Sequence, residues 1–98
     1  MISIRIYRQG KETLVSACDK NLIGKKFVEG KLQIDASEKF YGGETVDVKT
    51  LGKLLAEATI ANLVGKEAVL HAIKLGFINK DCVLTIKGIP HAQMLRMF

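Results

Sequence analysis

Tryptophan is missing from this chain, proline occurs once, cysteine twice, and only 6% of the residues are aromatic. Two thiols far apart, Cys18 and Cys82, cannot build a disulfide framework. With one loop histidine they do not make a closed four-ligand zinc site either, so no metal and no cofactor is expected. Both cysteines read as reduced, buried and acting as small hydrophobes, which suits a cytoplasmic protein. No run of about 18 apolar residues occurs, and Asn62 and Gly65 interrupt the most hydrophobic stretch, so no membrane-spanning helix and no membrane partner is expected. The start, MISIRIYRQG, alternates instead of placing a continuous apolar segment behind positive charge, and is not read as a signal peptide. Internal repeats and low-complexity segments are also lacking.

Acidic residues are in the minority, 10 against 15 Lys and Arg, giving a formal net charge of +5. The basic residues are scattered along the chain. A moderate positive field favours polyanions such as RNA, or serves solubility alone. Ninety-eight residues make one domain, 1–98, with a single core and no room for two lobes around a deep cleft. One site on the surface or in a shallow groove is the most to expect.

The apolar, helix-forming residues concentrate in Val46–Gly76. Val48, Leu51, Leu54, Leu55, Ala58 and Ala61 recur at three- and four-residue spacing, the pattern of one buried helical stripe. Asp47 is the expected N-cap, and Gly65 is expected to close this first helix. A second helix from Lys66 buries Val69, Ala72 and Ile73 and ends at Gly76. Before this pair, Ile2, Ile4 and Ile6 alternate with polar residues as in a half-buried strand, Gly10 provides a turn, and Glu12–Cys18 returns as the second strand of a hairpin. Asp19–Gly30 is expected to be a turn or short helix over the sheet edge. Lys31–Ala36 is a third strand, and Ser37–Glu44 a loop. Cys82–Lys87 supplies a fourth strand, central because both faces are apolar, and Gly88-Ile89-Pro90-His91 breaks the pattern. The expected fold is α+β, with about four mostly antiparallel strands and two helices on one face, in the order β-β-β-α-α-β.

Several residues invite a functional reading beside a plainer one. Gly42-Gly43 ahead of a helix suggests a phosphate cradle, but the spacing fits neither dinucleotide nor P-loop patterns, and Glu44 and Asp47 put negative charge where an anion would sit. A sharp turn explains the same residues. His91, after Gly and Pro at a strand end, suits an acid/base role with Glu44 or Glu38, or ties down its own loop. Phe40 and Tyr41 offer a stacking platform for bases, or plug the sheet. Lys25 and Lys26, with Lys31 near, suit phosphate contacts, or form a solvated edge that discourages aggregation. His71 reads as a solvated helix residue.

The strings VSACDKNLIGKKFVEGKLQI, FYGGE, EATIANLVGKEAVLHAIKLG and GIPHAQ, in this order and covering most of the chain, resemble an uncharacterised family of small archaeal proteins, domain of unknown function number four hundred and twenty-four. The resemblance implies a cytoplasmic archaeal protein with a translation-linked or RNA-associated role, and it brings no assigned site. Phe40, Tyr41, Gly42, Gly43, Glu44, Asn62, Gly65 and His91 are the positions it marks. The leading expectation is therefore a non-enzymatic module that binds RNA or a ribonucleoprotein through Lys25, Lys26, Lys31 and the Phe40-Tyr41 loop. One alternative is a small enzyme acting on a nucleotide or small molecule with His91 as acid/base. Another is an assembly factor, or a homodimer, docking through the C-terminal AQMLRMF.

Overall fold

The computed structural model describes residues 1–96. Strands β1 (Ile2–Gln9) and β2 (Glu12–Asp19) form the expected hairpin, turning at Gly10 with φ +60°. Alternation sends Ile2, Ile4 and Ile6, opposite Asp19, Ala17 and Val15, to one face, and Ser3, Arg5 and Tyr7, opposite Cys18, Ser16 and Leu14, to the other. Helices α2 (Val48–Glu57) and α3 (Lys66–Lys74) cover the first face. There Leu51, Leu55, Val69 and Ala72 pack against Ile2, Ile4, Val15 and Leu63. At roughly 1.5 to 3 kcal/mol for each large buried aliphatic side chain, this layer is the main source of stability.

The sheet is larger than four strands. Six strands lie in the order β5-β1-β2-β6-β8-β7, where β5 is Glu44–Val46, β6 Ile60–Val64, β7 Leu84–Ile86 and β8 Ile89–Leu95. Only β2 and β6 run parallel. A separate antiparallel pair, β3 (Lys26–Glu29) and β4 (Leu32–Asp35), and the short helix α1 (Glu38–Tyr41) lie on the second face, where Leu22, Ile34, Ala36 and Tyr41 pack on Cys18, Val64 and Ile86.

The differences from expectation have identifiable causes. The first helix stops at Glu57, not at Gly65, and Ile60–Val64 is a strand. A run of five residues is too short to separate a strand period from a helical one. Thr59 sets the switch: its N–H and hydroxyl both donate to the Thr13 carbonyl, at 2.9 and 3.0 Å, and its Oγ1 accepts from the Thr13 N–H at 2.9 Å. The chain is thereby clipped beside β2 just before β6 begins. Asp19–Gly30 holds a 3-10 turn and β3, and the 37–44 segment holds α1 and the start of β5. Strand β7 is an edge strand, shorter than expected. Lys87 and Gly88, at φ +53° and +76°, make a two-residue hairpin turn, so the segment read as a break continues as β8. Pro90 fits inside β8 because its carbonyl, accepting from Gly65 at 2.9 Å, points past the end of β6, where its missing N–H leaves no ladder bond unmade. Of the C-terminal docking segment, Ala92 and Met94 are in the core and Leu95 is exposed, while 97–98 lie outside the described residues. Among the described residues no helix is long and apolar enough to cross a membrane.

Asp47 caps α2 as expected, accepting from Thr50 at 2.8 Å, and Gly76 at φ +85° follows the end of α3. Gly65 opens α3 instead of closing α2. Its φ of +106° excludes most side chains, and a Cβ there would collide with the Asp19 carboxylate. Asp19, 8% exposed at the end of β2, accepts from the Glu67 N–H at 3.0 Å and the Ala68 N–H at 2.8 Å. The carboxylate thus caps α3 from another strand, where the helix dipole favours negative charge.

Replacing Asp19 by Ala strands two backbone donors and is expected to cost about 2 kcal/mol or more, and Asp19→Asn, which keeps one acceptor, to cost less. Gly65→Ala is expected to be at least as damaging. Equilibrium urea unfolding checks this, and an unchanged midpoint in Asp19→Ala would remove the cap from the account. Burial, with a smaller contribution from the Asp19 carboxylate, pushes the Cys18 thiol up to about 12. In the native protein at pH 8 a thiol-disulfide reagent is therefore expected to label exposed Cys82 promptly and Cys18 only on unfolding. Labelling of both at one rate would contradict it.

Candidate functional site: an aromatic and basic cleft on the second sheet face

Three successive outward side chains of β1 each donate to a backbone carbonyl of the Phe40–Gly42 segment. Ser3 Oγ bonds the Tyr41 carbonyl at 2.9 Å, Arg5 Nε the Gly42 carbonyl at 2.6 Å, and Tyr7 Oη the Phe40 carbonyl at 2.9 Å. The period of the strand is thus matched by the carbonyls of a tight turn. Ser37 caps α1 by accepting from the Phe40 N–H at 3.2 Å. So held, the Phe40 ring stacks on Tyr7 at 5.6 Å between centroids, 24° from parallel, and meets Tyr41 edge-on at 4.9 Å.

The result is a cleft of about 420 Å³ lined by Arg5, Tyr7, Ser37, Lys39 and Phe40. Beside it the sheet carries a polar row in register across four strands: Arg5, Ser16, Asn62 and Gln93. Gln93 Nε2 donates to Asn62 Oδ1 at 2.9 Å. Ser16 is fully buried, and its Oγ is the one buried side-chain polar atom without a partner among the described residues. The next row, Tyr7, Leu14, Ile60 and Leu95, ends in a side chain 74% exposed. A planar ring can stack against the aromatic pair, an anion can meet Arg5 and Lys39, and the amides can bond polar edges.

The residues singled out in the sequence divide. Phe40 lines the cleft, half-buried. Tyr41 does not: it is 7% exposed, and its phenol is pushed up to about 12, mainly by burial, with Cys18 adding to it. Gly42 is buried with its carbonyl taken by Arg5, and a Cβ at Gly43 would lie 2.8 Å from the Ile4 carbonyl. Close approach to β1 explains Gly43, whereas at Gly42 a Cβ would run into the Glu38 carbonyl of α1. No phosphate cradle forms, because β5 and not a helix follows them. Lys25 and Lys26 are exposed at the start of β3, whereas Lys31 is exposed past its other end, roughly 10 Å of strand away, so the three make no single patch.

His91 is not in a loop. It lies half-buried in β8 between Val64 and Leu84, and burial lowers its pKa, favouring the neutral ring. Glu44 is opposite Ile4 on β5, on the helix-covered face and four strand spacings, roughly 19 Å, from β8. Glu38 is exposed on α1. No hydrogen bond or ion pair joins His91 to either carboxylate among the described residues, so the expected acid/base set is not assembled. Among the same residues no cluster of three or more metal-ligating side chains occurs. Arg5, Tyr7 and Lys39 were not singled out in the sequence. The alternation that put Ile2, Ile4 and Ile6 in the core already assigns Ser3, Arg5 and Tyr7 to the outer face, and that half of the signal locates the cleft.

No functionally curated protein matches the chain. Among solved structures, an uncharacterized conserved protein from Methanopyrus kandleri shares the fold, with a TM-score of 0.77 at 21% identity over 99% of this chain and 95% of that one. The family model described as "Protein of unknown function (DUF424)" matches residues 7–97, and the chain belongs to that family.

Proposed function

We propose that the protein is a non-catalytic binding module for RNA or a ribonucleoprotein, and that the cleft between Tyr7 and Phe40 is its contact. The observation that carries this reading is the pairing, in one open cleft, of a half-exposed aromatic stack with Arg5 and Lys39. Single-stranded nucleic acid is held by that combination, bases on rings and phosphates on cations, at about 1 to 3 kcal/mol for each stacked base. A second feature agrees with it. Every lysine is exposed, and among the described residues the ion pair present uses the N-terminal ammonium and Glu67, so no lysine is ion-paired among them. The translation-linked role implied by the family resemblance is the setting to test first. An enzymatic role draws no support from His91, which makes no hydrogen bond or ion pair to Glu38 or Glu44 among the described residues.

Fluorescence anisotropy with a labelled single-stranded RNA of mixed sequence tests the reading. Affinity is expected to fall steeply between about 50 and about 300 mM salt, with a slope of about 0.7 for each phosphate contacted. Lys39→Ala should lower the slope by about one contact, and Tyr7→Leu should weaken binding about tenfold in protein that still melts cooperatively. No binding at low salt, or binding untouched by both substitutions, sinks the proposal.

A further inference from the structure

The opposite side of the molecule holds a second concavity that RNA binding does not use. Between helices α2 and α3 lies a groove of about 520 Å³ with a floor of Val48, Gly52, Ala56, Leu75 and Phe77. A Cβ at Gly52 would lie 2.9 Å from Leu75 Cδ1 and 3.7 Å from His71 Nε2, so the missing side chain is what lets Leu75 lie against α2 as one wall of the groove. Past His71 a shallower depression continues to Leu70, Lys66 and Lys74. Leu70 is 61% exposed and Leu75 48%, a costly arrangement on a helix pair that otherwise buries its leucines.

Charge decides what fits there. Lys49 and Lys53 on α2 and Lys66 and Lys74 on α3 border the two depressions, all exposed and none in an ion pair among the described residues. The nearby acids are engaged: Asp47 caps its own helix, and Glu67 is bound to the N-terminal ammonium at 3.1 Å. Glu57, at the end of α2, is the acid left to oppose four lysines. A second copy of this chain docking face to face would set lysine against lysine. Nucleic acid would find an apolar floor whose one aromatic ring, Phe77, already carries the Arg96 guanidinium 5.0 Å from its centroid.

We infer that the α2–α3 groove is a docking site for an acidic amphipathic helix of a partner protein, its apolar stripe on Gly52, Leu75 and Leu70 and its carboxylates against Lys49, Lys53 and Lys74. Ten residues make α2 about 15 Å long, which matches apolar anchors at i, i+3, i+4 and i+7 of the incoming helix. This site and the RNA cleft are on opposite faces of the sheet, so each stands or falls without the other.

The test uses the whole chain, isotope-labelled for NMR, and a synthetic helix of about 14 residues with leucines at i, i+3, i+4 and i+7 and glutamates elsewhere. Amide shifts are expected to centre on Gly52, His71, Leu75 and Phe77. The double variant Lys49→Glu with Lys53→Glu, both exposed, should keep its melting temperature and lose about tenfold or more in affinity for the peptide. Leu75→Ala should weaken it as well. The inference is overturned if a counterpart with lysines in place of glutamates binds equally well, or if no shifts appear at millimolar peptide. Shifts confined to the Tyr7–Phe40 cleft, an RNA oligonucleotide moving the groove amides, or a sedimentation dimer abolished by the double variant would overturn it too. RNA affinity tracked in the same variants keeps the two readings apart.

Discussion

The Asp19 carboxylate joins the end of β2 to the start of α3. It ends β2, accepts from the first turn of α3, and occupies the space that Gly65 leaves by having no Cβ. Because β2 and β6 run parallel, β6 ends beside Asp19, and the helix that follows is launched with its positive end on that carboxylate. An anion site of the kind that binds phosphate elsewhere is here filled by the protein's own charge. The cap thereby fixes where α3 begins, beside the ends of β2 and β6.

One strand, β1, serves both faces of the sheet. Its isoleucines enter the helix-covered core, while Ser3, Arg5 and Tyr7 anchor the Phe40–Gly42 turn from behind. Burial on one side immobilises the strand, and that rigidity positions the aromatic stack on the other. The β3–β4 pair and Tyr41 cover only the part of the second face over Cys18, Val64 and Ile86. The row from Arg5 to Gln93 is exposed only at its two ends, with Ser16 buried between them, and the row from Tyr7 ends in the exposed Leu95.

How much of this was readable without coordinates follows from the range of each interaction. The β1–β2 hairpin, the Asp47 cap and the end of α3 at Gly76 rest on contacts within a few residues, and alternation or a capping residue declares them. Ile60–Val64 gives no local signal of a strand because its ladder partners, β2 and β8, come from distant sequence, and its five residues are too few to separate a strand period from a helical one. Asp19 and α3 are 48 residues apart, and nothing local marks that aspartate as a cap. Likewise Tyr41 looked like half of a stacking platform, and only Ser3, 38 residues away, shows that its backbone is pinned inward. Phe40, expected in a loop, belongs to the short helix α1, which leaves its ring half-buried at the cleft. Lys25, Lys26 and Lys31 were grouped by sequence proximity that a hairpin pulls apart.

The direction of the perturbed ionisations bears on what kind of protein this is. Burial holds Cys18 and Tyr41 protonated to about 12 and favours the uncharged form of His91, so all three buried or half-buried groups with shifted equilibria are biased toward neutrality. A thiolate or phenolate nucleophile needs the opposite, a nearby cation or a helix N-terminus that stabilises the ionised form near neutral pH. The helix N-terminus closest to Cys18 is already occupied by Asp19, whose negative charge adds to the upward shift of the thiol. The cap that organises the fold therefore also disarms the nearest nucleophile. The charges presented to solvent are the surface lysines together with Arg5, which borders the cleft and stays exposed.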